Sequence, residues 1–589
     1  MIIARITNTI KPGFLPLIFF VILQSCKTIE EPMKTTNQIN WGEKSEGSKT
    51  ALFSESYFEG LNAKYQGDNA AAKAYFEQCL KINPGEPTVL FELAKIQVAN
   101  YEMDAAQNIL RELVDQYPEN IWYREYLVQF YQMRAQYPMA VEVMEELSKE
   151  YPDNLSYYYE LGSMYLMMGQ DRKAAEVYEN LQGKTGFNPE ISEQIARIYT
   201  QIKDYDKAEE VLKQLIAYNP EELRYYNMLA NLYQQKGNTQ ESIELFEKLK
   251  LKYPEDPFIY ISLSDYYRDA GDKEKARQNL EEAFALETMD IDTRVSILMN
   301  FYNQTETNEE LKELSFRLLE ETVEAYPEEA KAWAIYGDFL IRDGKSKDAR
   351  EKYLKALEHD KSKWVIWSQL MFLDSELADN ESLITHSKEA IDLFPNQALS
   401  YFLNGIAHYQ EETYDTAYQS LNQASKLVVG NPQMEMQIYG SMGDAAYQIG
   451  NYQDAWKSYE RALKIDPTNA YVLNNYAYFL SLQKKDLDKA AKMSKETVNQ
   501  EPNSATYLDT YGWILFQMGD YSEAEKYLQK AIMNGGDESG EVLEHYGDVL
   551  YKLNRTDEAN QYWNLALETN DHSEDLRKKI ENPGKFFTD

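Results

Sequence analysis

The sequence predicts an all-α solenoid of short helical hairpins. Three observations predict it. A pattern of about 34 residues recurs along nearly the whole chain, most plainly in Met436–Asn469 (MQIYGSMGDAAYQIGNYQDAWKSYERALKIDPTN). Within that unit, small and apolar residues fall at helical spacing in two runs separated by Gly450. The 589 residues also exceed what one compact core holds. A stack of units, each touching only its neighbours, escapes that limit.

Each element of the unit has a physical reason. Counting Met436 as position 1, Gly443, Gly450, Tyr452, Ala455, Tyr459, Ala462-Leu463 and Pro467 stand at positions 8, 15, 17, 20, 24, 27–28 and 32. In the first helix, A, positions 4, 7, 8 and 11 share a face; in the second, B, positions 20, 24 and 27 do. Small residues at 8 and 20 let the two backbones approach, and larger ones at 4, 11 and 24 fill the space around them. Glycine at 15 permits the A-to-B turn. Proline at 32 ends helix B, because it has no N–H to donate and its ring clashes with the preceding turn.

This spacing resembles the tetratricopeptide repeat (TPR) family. The resemblance implies a superhelical solenoid of about 15 helix-turn-helix repeats over residues 53–573. Repeat one, 53–86, carries Gly60, Gly67, Ala72, Phe76 and Pro84, with Cys79 as a small apolar residue at position 27. Repeats two to seven begin at residues 87, 121, 155, 189, 223 and 257, and Thr288 replaces the expected proline of repeat seven. The period then slips. Repeat eight is about five residues too long, with the excess at Asn303–Asn308, so 291–329 is read as an irregular seam between arrays at 53–290 and 330–573. Repeats nine to eleven begin at 330, 364 and 398, with Leu383 replacing alanine at position 20 of repeat ten. Pro432–Glu435 are inserted before repeat twelve, the unit described above, and three more repeats follow from about 470, 505 and 540. Residues 574–589 form a polar capping helix and tail, which terminal repeats need for solubility.

The N-terminus has its own signal. Arg5 and Lys11 precede an apolar run, Phe14–Leu23, that is too short to span a bilayer, and residues 1–25 read as a secretory signal peptide. The ending Leu23-Gln24-Ser25-Cys26 resembles a bacterial lipoprotein box. By that resemblance Cys26 becomes the first mature residue and is acylated on sulfur and amino group. Residues 26–52 then read as lipidated cysteine plus flexible tether. Lys27 follows Cys26 where an inner-membrane retention signal has Asp, which favours the outer membrane, at its periplasmic face or at the surface. Glu30-Glu31 loosely resembles the surface-export signal of Bacteroidetes lipoproteins.

Chemistry is not expected. Two cysteines exclude a disulfide scaffold and a cysteine zinc cluster. The five histidines form no His-Glu-x-x-His, no Gly-x-Ser-x-Gly elbow occurs, and the glycines stand at repeat positions 8 and 15. The protein is read as no enzyme, with no cofactor, metal or catalytic residue. The net charge of −37 repels phosphate backbones and anionic lipid, so nucleic acid is not an expected partner and any membrane contact is through the lipid anchor only.

What remains is the concave groove. In the TPR family, A-helix positions 2, 5, 9, 12 and 13 face inward and hold ligand. Carried over, they give Trp122, Tyr159, Arg197, Asn227, Asn231, Asp265 and Arg268, then Tyr471, Asn474, Tyr478, Asp509, Trp513 and Phe516. Aromatic and amide side chains suit a protein or peptide ligand, though such residues can also merely line a solvated superhelix. The chaperone-tail clamp of the family needs Lys at position 5, and no clear repeat has it. The expected function is a lipid-anchored interaction scaffold or adaptor of the bacterial cell envelope, serving its assembly, secretion or maintenance. The rivals are a carbohydrate- or peptidoglycan-binding module and a cytoplasmic co-chaperone or regulator.

Overall fold

The structure, a computed structural model, describes residues 46–569 and 571–587. The signal peptide, Cys26 and most of the tether lie outside them. Secondary structure among the described residues is helical, and the helices pair in chain order into fifteen hairpins. Most A helices begin at the expected first position, as at Pro87, Ile121, Leu155, Pro189, Pro257, Ala330, Trp364, Ala398, Ala470, Ala505 and Gly540. The first helix, Glu46–Tyr65, takes up residues 46–52 of the expected tether. Two compact units are formed, the first ending at Tyr225 and the second beginning at Tyr226.

The hairpin core follows the expected positions. Ala72, Ala106, Ala140, Ala174, Ala208, Ala349, Ala417, Ala455, Ala524 and Ala559, all at position 20, are fully buried, as is Ala490 at position 21 of its repeat. At position 8, glycine lies under the ring or branched side chain at position 24. A Cβ placed on Gly443 would sit 2.6 Å from the Tyr459 ring, and one on Gly512 would sit 2.7 Å from Leu528. The A-to-B turn is left-handed at position 15 whether or not glycine stands there. Gly67, Gly169 and Gly450 have φ of 80°, 67° and 76°, while Tyr101, Ala135, Lys203 and Glu412 have 62°, 52°, 61° and 56°. Side chains at that place carry a strain of about 1 kcal/mol that glycine avoids.

Between repeats, tyrosine at position 11 donates to a glutamate at position 25 of the preceding repeat. In unit one the pairs are Tyr165 with Glu145 and Tyr199 with Glu179; in unit two Tyr267 pairs with Glu247. Lys173, Lys207 and Lys275, at position 19, lie over the same rings.

The irregular repeat eight joins its helices, Ile291–Tyr302 and Glu309–Ala325, by a six-residue connection. Arg294 is fully buried there, its guanidinium 5.3 Å from the centroids of both Phe284 and Tyr326. It donates to the carbonyls of Met289 and Leu286, and so holds the chain where the usual proline is missing. Thr288 itself donates to the carbonyl of Glu255 at 2.6 Å. The chain end forms two short helices, Leu576–Glu581 and Pro583–Phe586.

Candidate partner-binding surface

The inner positions of unit one leave apolar side chains in water. The A helix Ile121–Met133 is capped by Asn120, whose side chain accepts from the Trp122 backbone N–H at 3.1 Å. The first turn that this fixes holds the Trp122 side chain 73% exposed. On the next A helix, Leu155–Met167, Tyr159 is 42% and Met167 is 65% exposed. Carboxylates beside them already have partners within the chain. Glu125 accepts from the Tyr157 hydroxyl at 2.6 Å, and Glu193 is held by Arg197 at 2.7 Å and by Arg224 at 3.1 Å. The surface is therefore aromatic, with Glu125 hydrogen-bonded and Glu193 ion-paired.

At the start of unit two, Asn227 and Asn231 are exposed, and Arg268 pairs with Asp265 one turn earlier at 2.5 Å. This pair is open to solvent and contributes little to stability.

The C-terminal candidates are brought together, but against their own chain. Tyr471 donates to Asp444, and Tyr478 to Glu541 two repeats further on. Asn474 is buried with its Oδ1 unpaired. Trp513 stacks on Phe516 at 5.0 Å and on the His545 ring at 3.9 Å, while Phe516 is buried in the core of the last repeats. Asp509 is buried and meets His545 Nδ1 at 3.0 Å.

Sequence reasoning missed His545, Glu541, Asp548 and Lys579. The Asp548 signal was present as Gly-Asp at positions 8–9, which occurs in repeats nine, twelve and fifteen with an aromatic residue 15 positions later. Among the described residues no group of three or more His, Cys, Asp or Glu could hold a metal ion, and no helix is long and apolar enough to cross a membrane.

The repeat geometry agrees with the comparisons. Tetratricopeptide repeat family models match residues 64–125, 165–232, 200–264, 259–288, 317–362, 443–481 and 512–574. The chain is a tetratricopeptide repeat protein. Over 188 residues this TPR chain is 26% identical to a TPR repeat-containing protein of Methanocaldococcus jannaschii, covering 31% of each. It is 24% identical over 194 residues to a human protein O-mannosyl-transferase, covering 33% of this chain and 21% of that one. The chain thus spans a third or less of these relatives' lengths. Among solved structures, Naa15/Naa10 bound to HypK-THB is similar at 14% identity with a TM-score of 0.41, covering 91% of this chain and 92% of the other.

The buried His545 is expected to make the stability of the C-terminal end of the TPR array depend on pH. Burial opposes its charge, but the facing Asp509 carboxylate outweighs burial, helped by Glu541 and Asp548 on its own helix, and raises it to about 8. Tyr478 of repeat thirteen, which donates to Glu541, is pushed far above that range by burial and by Glu541. A raised folded pKa means the stabilisation is complete below the unfolded value near 6.5 and is lost as pH rises through about 8. The expected loss is about 2 kcal/mol. Thermal melts between pH 6 and 9 should show it in the wild type and not in His545→Gln. A wild-type curve as flat as that of the variant would refute the charged pair.

Proposed function

We propose that this TPR protein is a protein–protein interaction scaffold, held at the cell envelope by a lipid on Cys26 and serving envelope assembly, secretion or maintenance. The observation that carries the binding part is the set of exposed inner side chains Trp122, Tyr159 and Met167 in unit one. Tryptophan and tyrosine offer a large apolar body with a polar tip, and such residues dominate the energetics of partner sites. Capture of envelope proteins on the TPR chain, against the double variant Trp122→Ala/Tyr159→Ala, tests it. The variant is expected to lose captured partner by about tenfold or more while keeping its helicity. Equal capture, or capture of glycans in place of protein, would overturn the reading.

The anchor part is supported by the Leu23–Cys26 sequence and by the acidity of the chain, which gives no other attraction to an anionic membrane. Several acyl chains hold firmly, at about 0.8 kcal/mol per buried CH₂. Cys26→Ser is expected to leave an unprocessed precursor, and a palmitate analogue should label wild type alone. Equal labelling of both forms would reject the anchor.

A further inference from the structure

Unit two builds one arrangement three times. Gly337-Asp338, Gly443-Asp444 and Gly547-Asp548 occupy positions 8–9 of their A helices, and Tyr353, Tyr459 and Trp563 lie over the glycines from position 24. Each aromatic residue donates to its aspartate, at 2.5, 2.5 and 2.9 Å. In two cases the next element supplies further donors. Asp444 also accepts from Tyr471 and Asn475, and Asp548 from Lys579 at 2.7 Å.

Asp338 differs. Among the described residues its hydrogen-bond partner is Tyr353 alone. Arg342, one turn on, is taken by Glu306 and Asn303, and Lys345 by Asp343. At position 9 of the flanking A helices stand Met299 and Phe372, 49% and 47% exposed, and Val365, two turns before Phe372 on its helix, is 66% exposed. The row is apolar, acidic, apolar.

We propose that the inner positions around Asp338 dock a partner segment carrying one Lys or Arg between apolar side chains, with the cation on Asp338 and its neighbours on Met299, Val365 and Phe372. The chain itself seats a related segment at Asp548, where Glu544 is a second acceptor for the cation. There Lys579 reaches the carboxylate, while Phe587 of the same segment stacks on Trp563 and packs on Tyr551 at 4.9 Å. Asp338 is half-buried and keeps acceptor positions beyond its bond from Tyr353. The net charge of −37 draws a basic segment in. The site rests on the scaffold reading and adds the chemistry of the partner to it.

Phage-displayed random peptides of about 16 residues, selected on the immobilised full chain, test the proposal. Binders are expected to carry Lys or Arg flanked by apolar residues. Asp338→Asn retains an acceptor for Tyr353 and should weaken them about tenfold or more, as should Phe372→Ser. Changing the basic residue of the peptide to Gln should cost as much on wild type and nothing further on Asp338→Asn. Unchanged melting of both variants excludes misfolding, and Asp338→Glu should restore part of the binding. No binders, binders without a basic residue, or equal affinity for Asp338→Asn would each overturn the site. If it falls while partner capture still depends on Trp122 and Tyr159, the scaffold reading stands without it.

Discussion

Lys579→Ala is expected to unfold the last repeat locally, at a cost of about 3–5 kcal/mol. The ammonium of Lys579 sits between Glu544 at 2.6 Å and Asp548 at 2.7 Å, and all three side chains are buried. Burial alone would raise Glu544, but Lys579 and the Ser573 N–H and hydroxyl hold it below the usual carboxylate range. Truncation leaves two carboxylates in a low-dielectric site with one cation removed, and the desolvation already incurred is no longer offset. The segment also seats Leu576, fully buried, and Phe587 against the same hairpin, so its release exposes apolar surface as well. Neighbouring Lys578 pairs with Asp575 in open solvent, and its replacement by Ala should change nothing measurable. Hydrogen exchange in the A helix Gly540–Lys552 reads the difference. Equal protection in wild type and Lys579→Ala would mean that the buried triad contributes no stability.

The hairpins were legible because their determinants are local. Glycine at 8, alanine at 20 and an aromatic residue at 24 meet within one unit, so the register of helices such as Pro87–Ala99 and Ala505–Gln517 follows from spacing alone. The left-handed turn at Tyr101 or Glu412 was hidden, because backbone geometry imposed by the two packed helices overrides the residue's own preference. The Tyr199–Glu179 pair and the Asp509–His545 pair join residues 20 and 36 apart, from different repeats. Such contacts depend on how hairpins stack, which no single helix encodes.

The candidate surface divides for the same reason. Position rules placed Trp122 and Trp513 alike on an inner face, yet only the stacking decides what each one meets. Trp122 meets solvent. Trp513 meets the ring of His545, supplied by the next repeat. Asp338 and Asp548 are likewise equivalent by position, and they differ because a C-terminal lysine reaches one of them.

Tyr459→Ala should be the second most damaging change, at about 3–5 kcal/mol. Tyr459 is fully buried, lies over Gly443, stacks near Tyr476 at 5.1 Å and donates to Asp444. Removing the ring opens a cavity that rigid neighbouring helices close only in part. Tyr459→Phe keeps the ring and deletes one donor to a buried carboxylate, for about 1–3 kcal/mol. The order Ala, then Phe, then wild type is therefore expected in urea melts, with the loss confined to adjoining repeats. Gly443→Ala tests the contact from the other side. Helix propensity favours it by about 1 kcal/mol. The added methyl would meet the Tyr459 ring at 2.6 Å, and overpacking costs about 1–3 kcal/mol, so the net effect should be destabilising. In the double variant Gly443→Ala/Tyr459→Ala the clash is gone and the methyl enters the cavity, so the combined loss must be smaller than the sum of the single losses. Additivity within about 0.5 kcal/mol would show that the two positions do not touch.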